Sequence, residues 1–237
     1  MTHSRFLLTV PLLCFISCSG PLYYPAIQGS YVPGVITAPP QGENSSSTAK
    51  YLVLDGGNAL SSNEGERNIL VRGHFLSVRS GKYYAANAGL FAYGGSYRVN
   101  AVEEYRGEHS FFGGGLEFNG ELHYPFWKVD AGLGMYAGGA FECGDYPSFR
   151  ENAYQRGLIA NHPTDATPLF AVYPLVRYRA TKRTSVAFQY AFGFPGLISP
   201  SVTIQHDNYA TWFYLIADDT GSLAESFFSI GIGRQIQ

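Results

Sequence analysis

Charge is what this chain has least of. Only 14% of its 237 residues are Asp, Glu, Lys or Arg, well below the ~25% of an ordinary soluble domain. The signs nearly cancel, with 16 Lys and Arg against 18 Asp and Glu for a net charge of −2. That removes the basic excess on which nucleic-acid binding relies. Also missing is any run of about 18 apolar residues, so no helix in the sequence is fit to cross a bilayer. Cysteine is scarce: Cys14, Cys18 and Cys143 are the three. Neither HExxH nor a Cys/His cluster occurs, which leaves no metal signature. No GxSxG elbow for a hydrolytic serine is present either. What is there is 46% hydrophobic residues, with 18 Tyr, 17 Phe and 28 Gly. Such a chain buries a core and is not disordered. Its composition reads as an all-β protein rich in aromatics and glycine.

The first twenty residues, MTHSRFLLTVPLLCFISCSG, place a basic Arg5 before a short apolar stretch, Phe6 to Ile16. The stretch is too short for a spanning helix and suits the core of a signal peptide. Ser17-Cys18 behind it resembles a bacterial lipobox, although Phe15 stands where Leu is usual. By that resemblance residues 1–17 are a lipoprotein signal peptide and Cys18 is the lipid-attachment residue, its thiol carrying diacylglycerol. Cys143 is then the one cysteine left, so the mature chain has no internal disulfide.

Residues 18–66 read as an extended tether, with five prolines between positions 19 and 50 and no periodic pattern. Asp55 to Glu66 has the length of a calcium loop. Gly57, Ala59 and Leu60 occupy the places where such a loop needs oxygen ligands and a glycine, so calcium is rejected. From residue 67 to 237 the chain reads as a single β domain of eight strands, beginning near Ile69, Tyr83, Phe111, Trp127, Leu169, Ser185, Tyr209 and Ser226. Several alternate cleanly. Phe112, Leu116, Phe118 and Leu122 oppose Glu117, Asn119 and Glu121; Val186, Phe188, Tyr190 and Phe192 oppose Ala187, Gln189, Ala191 and Gly193.

The non-apolar face of these strands is mostly Gly, Ala and Ser. It makes a poor watery exterior and a good narrow-barrel interior. The expected fold is therefore an eight-stranded antiparallel up-and-down β-barrel of outer-membrane type. Inward Glu117, Lys128, Asp130 and Arg177 are expected to pair inside it. The segments 100–110, 142–168 and 195–208 are expected as long loops and as the surfaces for protein partners. A short helix over Asp145–Leu158 is open in the second of them, with Tyr146, Phe149 and Ala153 on one side. Eight strands put these long loops at the same end as both termini, whereas outer-membrane barrels usually keep their termini with the short turns.

Cys18 followed by Tyr23-Tyr24-Pro25, the entry Asn63-Glu64-Gly65-Glu66, and the aromatic pair of strands over Pro168–Phe194 resemble small outer-membrane lipoproteins of Bacteroidota-type bacteria. The resemblance implies a lipid-anchored β-barrel in the outer membrane and brings no reaction with it. Two features depart from it: the end Arg234-Gln235-Ile236-Gln237 lacks a terminal aromatic, and no acidic run follows Cys18.

The function expected is structural or interactive, with no catalysis, no cofactor and no metal, and with outer-membrane lipid as the surrounding partner. Two other classes stay open. A soluble lipocalin-like lipoprotein carrying an apolar ligand would share the anchor and the strand count. A lipid-modifying hydrolase or acyltransferase would need His206 or His123 beside Ser199, Ser201 or Glu121. Gly113-Gly114-Gly115 lies mid-strand and reads as close packing.

Overall fold

The computed structural model describes residues 20–27, 46–59, 63, 65–194, 197–216 and 227–236. Cys18, the signal segment and most of the residues read as tether lie outside these. Within them the chain forms ten strands, not eight: β1 (Ser47–Ala59), β2 (Arg67–Ser80), β3 (Tyr84–Val99), β4 (Gly107–Phe126), β5 (Val129–Gly144), β6 (Ala166–Arg179), β7 (Thr184–Phe194), β8 (Leu197–His206), β9 (Tyr209–Ile216) and β10 (Phe227–Gln235). Every strand pairs antiparallel with its neighbours in sequence, and β1 pairs with β10, so the sheet closes into a barrel. The closing register runs from Tyr51 opposite Gln235 to Gly57 opposite Ser229. Among the described residues one α-helix, α1 (Asp145–Gln155), and one 3-10 turn, Glu103–Tyr105, interrupt the strands.

The two extra strands correct the eight-strand reading at particular places. β1 falls inside the stretch read as tether, so the barrel begins at Ser47 and not after residue 66. β8 occupies the expected loop 195–208. Its inward residues Ser199, Ser201, Thr203 and Gln205 are buried, while Pro200 and Ile204 face out. Pro200 sits opposite Tyr190 in the ladder. The other two expected loops are shorter than read. β4 begins at Gly107, and the 142–168 excursion is the end of β5, then α1, then the start of β6.

Counting ten strands also moves the termini. The first strand starts, and the last one ends, at the same end as the connections 81–83, 127–128, 180–183 and 207–208. All four are short. The opposite end carries 60–66, 100–106, 145–165, 195–196 and 217–226. The termini of the barrel thus lie with the short turns, the arrangement usual in outer-membrane barrels. In the two-residue turns Trp127 and Asp207 take positive φ values of 55° and 49°, as tight hairpins require.

Side chains sort inside-out relative to a soluble protein. Leu52, Leu90, Leu116, Phe118, Leu133 and Ile230 point outward and are more than half exposed, while Asp55, Arg72, His74, Glu117, Glu121 and Asp130 are buried. Lys128 departs from the expected inward set. It lies exposed in the turn beside Trp127, where strand alternation is suspended.

Glycine opens space for the interior rings. A Cβ on Gly134 would lie 2.2 Å from the Tyr173 ring, and one on Gly231 would lie 2.2 Å from Trp212. Each ring lies across its neighbour's bare backbone, which is why one face of the strands is rich in glycine.

Candidate functional site

The inner wall carries two polar networks. In the first, Asp55 Oδ1 accepts from Arg72 Nε at 2.7 Å, and Arg72 also reaches the Tyr214 hydroxyl. His74 stands between two carboxylates, with Nδ1 2.7 Å from Glu117 and Nε2 3.2 Å from Asp55. In the second, Arg177 donates to Glu121 at 2.5 Å and approaches Asp130 at 3.6 Å. Arg179 also bonds Asp130, and His123 lies 3.2 Å from Glu121. Glu117, Asp130 and Arg177 thus face inward as the alternation required.

Several of these bonds skip strands. Arg72 ties β2 to β9, His74 ties β2 to β4, and Arg177 and Tyr173 tie β6 to β4. Gln205 on β8 donates to Tyr51 on β1 at 3.1 Å. Such links brace the interior across its width. A charge placed there without its partner costs several kcal/mol, so the pairing itself is what makes a charged interior tolerable.

The mouth at the long-loop end is filled by a segment that sequence reading left in the tether. Gly20–Ile27 docks there, with Tyr23, Ala26 and Ile27 fully buried. Tyr23 N donates to Asn161 Oδ1 at 2.8 Å, and Asn161 Nδ2 donates back to Tyr23 O at 2.6 Å. The Tyr23 hydroxyl donates to Glu66 at 2.6 Å. Ala26 N donates to Glu142 Oε2 at 2.7 Å, and Asn68 donates to Ala26 O at 2.9 Å. Tyr146 OH donates to Tyr24 O, Asn63 to Leu22 O, and Ala160 N to Pro21 O. These hydrogen bonds hold the segment from Pro21 to Ala26.

Helix α1 builds the other half of this closure. Its buried side holds Tyr146, Pro147, Phe149, Arg150 and Ala153, which includes the face that helical spacing picked out. Gly144 at its start has φ 119°, and a Cβ there would sit 2.8 Å from Ser110 O, so only glycine turns the chain from strand into helix here. Arg150 Nη2 donates to Glu142 Oε1 at 2.9 Å, so one carboxylate holds both the helix and the arm. Tyr97 stacks on Tyr146 at 4.4 Å, and Tyr23 meets Phe149 edge-on at 4.9 Å. Burial, then the Glu66 carboxylate, holds the Tyr23 phenol protonated far above its usual range, and burial does the same for Tyr146. Both remain donors.

The outer rim at the short-turn end is equally patterned. Tyr83, Tyr124, Phe126, Trp127, Tyr178 and Tyr209 are exposed around it. Lys50, Arg79, Lys82, Lys128, Arg179, Lys182, Arg183 and Arg234 are exposed at the same level, against Asp207 alone among the exposed described acids there. Lys128 lies over the Trp127 ring at 5.4 Å and Lys82 over Tyr83 at 5.3 Å. The long-loop end is mixed, with exposed Glu103, Glu104, Glu108, Glu151 and Asp165 beside exposed Arg67, Arg98, Arg106 and Arg156.

Of the candidate catalytic residues, His123 and Glu121 are brought together, at 3.2 Å on the inner wall. His206 is exposed and bonded to Thr184 Oγ1 at 2.8 Å, whereas Ser199 and Ser201 face the interior, their hydroxyls without a hydrogen-bond partner among the described residues. No group of three metal-ligating side chains occurs among the described residues. Cys143 is exposed.

No family model matches this chain, and no curated protein does. Among solved structures it is similar to the "TodX deltaS2S3 mutant monoaromatic hydrocarbon channel", with 10% identity, 82% of this chain and 67% of that one covered, and a TM-score of 0.34.

Proposed function

We propose that this chain is a lipid-anchored β-barrel of the outer membrane, with its ten strands in the hydrocarbon and Cys18 acylated, serving a structural or interaction role without catalysis. The observation that carries this reading is the reversal of sides: charges inside, leucine and phenylalanine outside. A soluble exterior of that kind would leave an apolar surface far larger than the few hundred Å² that monomers expose. In lipid the same surface is satisfied, and the closed sheet leaves no edge unpaired. Its strands run from 8 to 20 residues, and most exceed the 9–11 or so residues a tilted crossing needs. Aromatic rings with basic residues just beyond them suit a headgroup boundary.

The braced interior and filled mouth favour a structural or interaction role over conduction. The surfaces offered to a protein partner are the connections at the long-loop end, chiefly 100–106 and α1 with the residues that follow it. A lipocalin-like carrier would present its apolar face to the interior, and here that face is outside. The test is solubility: residues 19–237 should need detergent to stay monodisperse and should migrate faster on a gel when unheated. A detergent-free monomer would return the carrier to first place.

A further inference from the structure

We propose that the outer wall of β2–β5 holds one anionic phospholipid, with its phosphate on Arg79 and an acyl chain in the groove that runs from there into the hydrocarbon. The inference rests on the membrane reading above. It adds a single site and a chosen headgroup to that reading.

The register draws the groove. Outward positions of β2 to β5 fall in rows across the strands. One row reads Arg79, Ala86, Gly120, Met135, and the next reads Ser77, Ala88, Phe118, Ala137. The rows that flank these two are bulkier. Phe75, Leu90 and Leu116 stand on the long-loop side, and Tyr84, Leu122 and Leu133 on the short-turn side. Alanine, serine and glycine between two rows of large side chains leave a trough of about 460 Å³. Ligand pockets run from about 300 to 1,000 Å³. A Cβ on Gly120 would meet nothing within 4 Å, so the floor is open there. Phe118 and Met135 rise at the β4–β5 end.

The groove descends as it crosses the strands. Arg79 is one residue from the end of β2 at Ser80, whereas Met135 is six residues from the start of β5 at Val129. Both of those strand ends belong to short turns. The five residues of difference, at ~3.3 Å each and a tilt near 40°, put Met135 roughly 13 Å deeper than Arg79. The apolar band of such a barrel is about 25 Å tall. The trough therefore leads from headgroup level to the middle of the hydrocarbon, which is the path of an acyl chain.

Charge selects the headgroup. Arg79 has no ion pair or side-chain hydrogen bond among the described residues. A guanidinium so placed grips a phosphate through two parallel N–H bonds. In the β1–β2 register Thr48 lies opposite Arg79, and Lys50 lies opposite Ser77. All four are exposed, so a second cation and two hydroxyls flank the guanidinium, and no acid is among them. A zwitterionic headgroup brings an ammonium into this basic setting, and a net-negative one does not.

Native mass spectrometry of the folded full chain in detergent tests this. The probes are phosphatidylglycerol and phosphatidylcholine of one chain length, in equal amounts. One phosphatidylglycerol should stay bound in preference to phosphatidylcholine. Arg79→Gln should lower that preference about fivefold, the effect of one surface cation. Gly120→Leu and Ala88→Phe fill the trough from lipid-facing positions. Each should lose the bound lipid and keep the heat-modifiable band; if Gly120→Leu does not fold, Ala88→Phe decides. Arg156→Gln, at the opposite end, should keep the lipid. Equal retention of both lipids would overturn the site, as would a bound lipid unchanged by Arg79→Gln and by the filled trough. A lipid-free dimer would also overturn it and give the trough to a second copy. A monodisperse chain without detergent would remove the membrane reading and this site with it, so the two failures are told apart.

Discussion

The side chain of Asn161 clasps the backbone of Tyr23 from both sides, accepting from its N–H at 2.8 Å and donating to its carbonyl at 2.6 Å. The two residues are 138 positions apart. A single carboxamide thus does for the arm what a neighbouring strand does elsewhere. Replacing Asn161 with Ala leaves a buried N–H and a carbonyl unpaired, at about 1–3 kcal/mol. The expected outcome is an arm cut by protease several times faster while the barrel stays intact. An unchanged cleavage rate would show that the clasp contributes nothing.

Glu142 is the second hinge point of the same closure, because its two oxygens serve Arg150 and Ala26 separately. Glu142→Gln keeps the shape and loses the charge opposite a fully buried arginine. Unfolding in denaturant should shift by about 3–5 kcal/mol if Arg150 is left uncompensated. The double change Glu142→Gln with Arg150→Met should recover much of that loss.

Inside the barrel, Arg72 joins Asp55 beside it to Tyr214 on the far side of β1 and β10. Arg72→Met should lower the temperature at which the unheated gel band disappears, since it strands Asp55 among its neighbours. Arg72→Met with Asp55→Asn should be milder than Arg72→Met alone. Equal losses in both would mean the pair is not coupled.

Gly134→Ala tests the packing of rings over bare backbone. The added carbon meets Tyr173 at 2.2 Å, and that ring cannot move without leaving Asn119, to which its hydroxyl donates at 2.5 Å. A loss of about 1–3 kcal/mol is expected, as for an overpacked core. Gly120→Ala, where nothing lies within 4 Å of the new carbon, is the control and should be neutral.

The basic rim at the short-turn end predicts a preference for anionic lipid. Changing Lys82, Lys128, Lys182 and Arg183 to Ser should slow folding into vesicles that contain phosphatidylglycerol, by about 1 kcal/mol of surface attraction per charge. Folding into purely zwitterionic vesicles should change little. Equal effects in both would remove the rim as a lipid contact.

Eight of the ten strands were legible because their alternation is strong, and the sorting of Glu117 from Leu116 and Phe118 was legible with it. The two that were not show why. β1 carries Tyr51, Leu52, Val53 and Leu54 in a row, apolar on both faces, and then Asp55-Gly56-Gly57-Asn58, a composition that reads as a turn. In a barrel those glycines lie against β10: a Cβ on Gly57 would fall 2.0 Å from Phe228 O. β8 does alternate, Ser199, Ser201, Thr203 and Gln205 against Ile198, Pro200, Val202 and Ile204, but Pro195 and Pro200 masked it. Pro200 pairs with β7, but the ladder to β9 starts one residue later at Ser201, so a residue without an N–H sits where pairing is one-sided. The arm was illegible for a different reason. Tyr23-Tyr24-Pro25 has no periodicity, and its partners lie between 41 and 138 residues away, so only the closed fold brings them together.

The two tryptophans give the most direct test of the barrel as a membrane protein. Trp127 is exposed on the outer rim and Trp212 is buried in the interior. With Trp212→Phe leaving Trp127, and Trp127→Phe leaving Trp212, each ring is read alone in vesicles whose acyl chains carry bromine near the headgroup. Strong quenching of Trp127 with little of Trp212 is the expected result. Absence of quenching at Trp127, or equal quenching of both, would contradict a barrel with lipid outside and charges within.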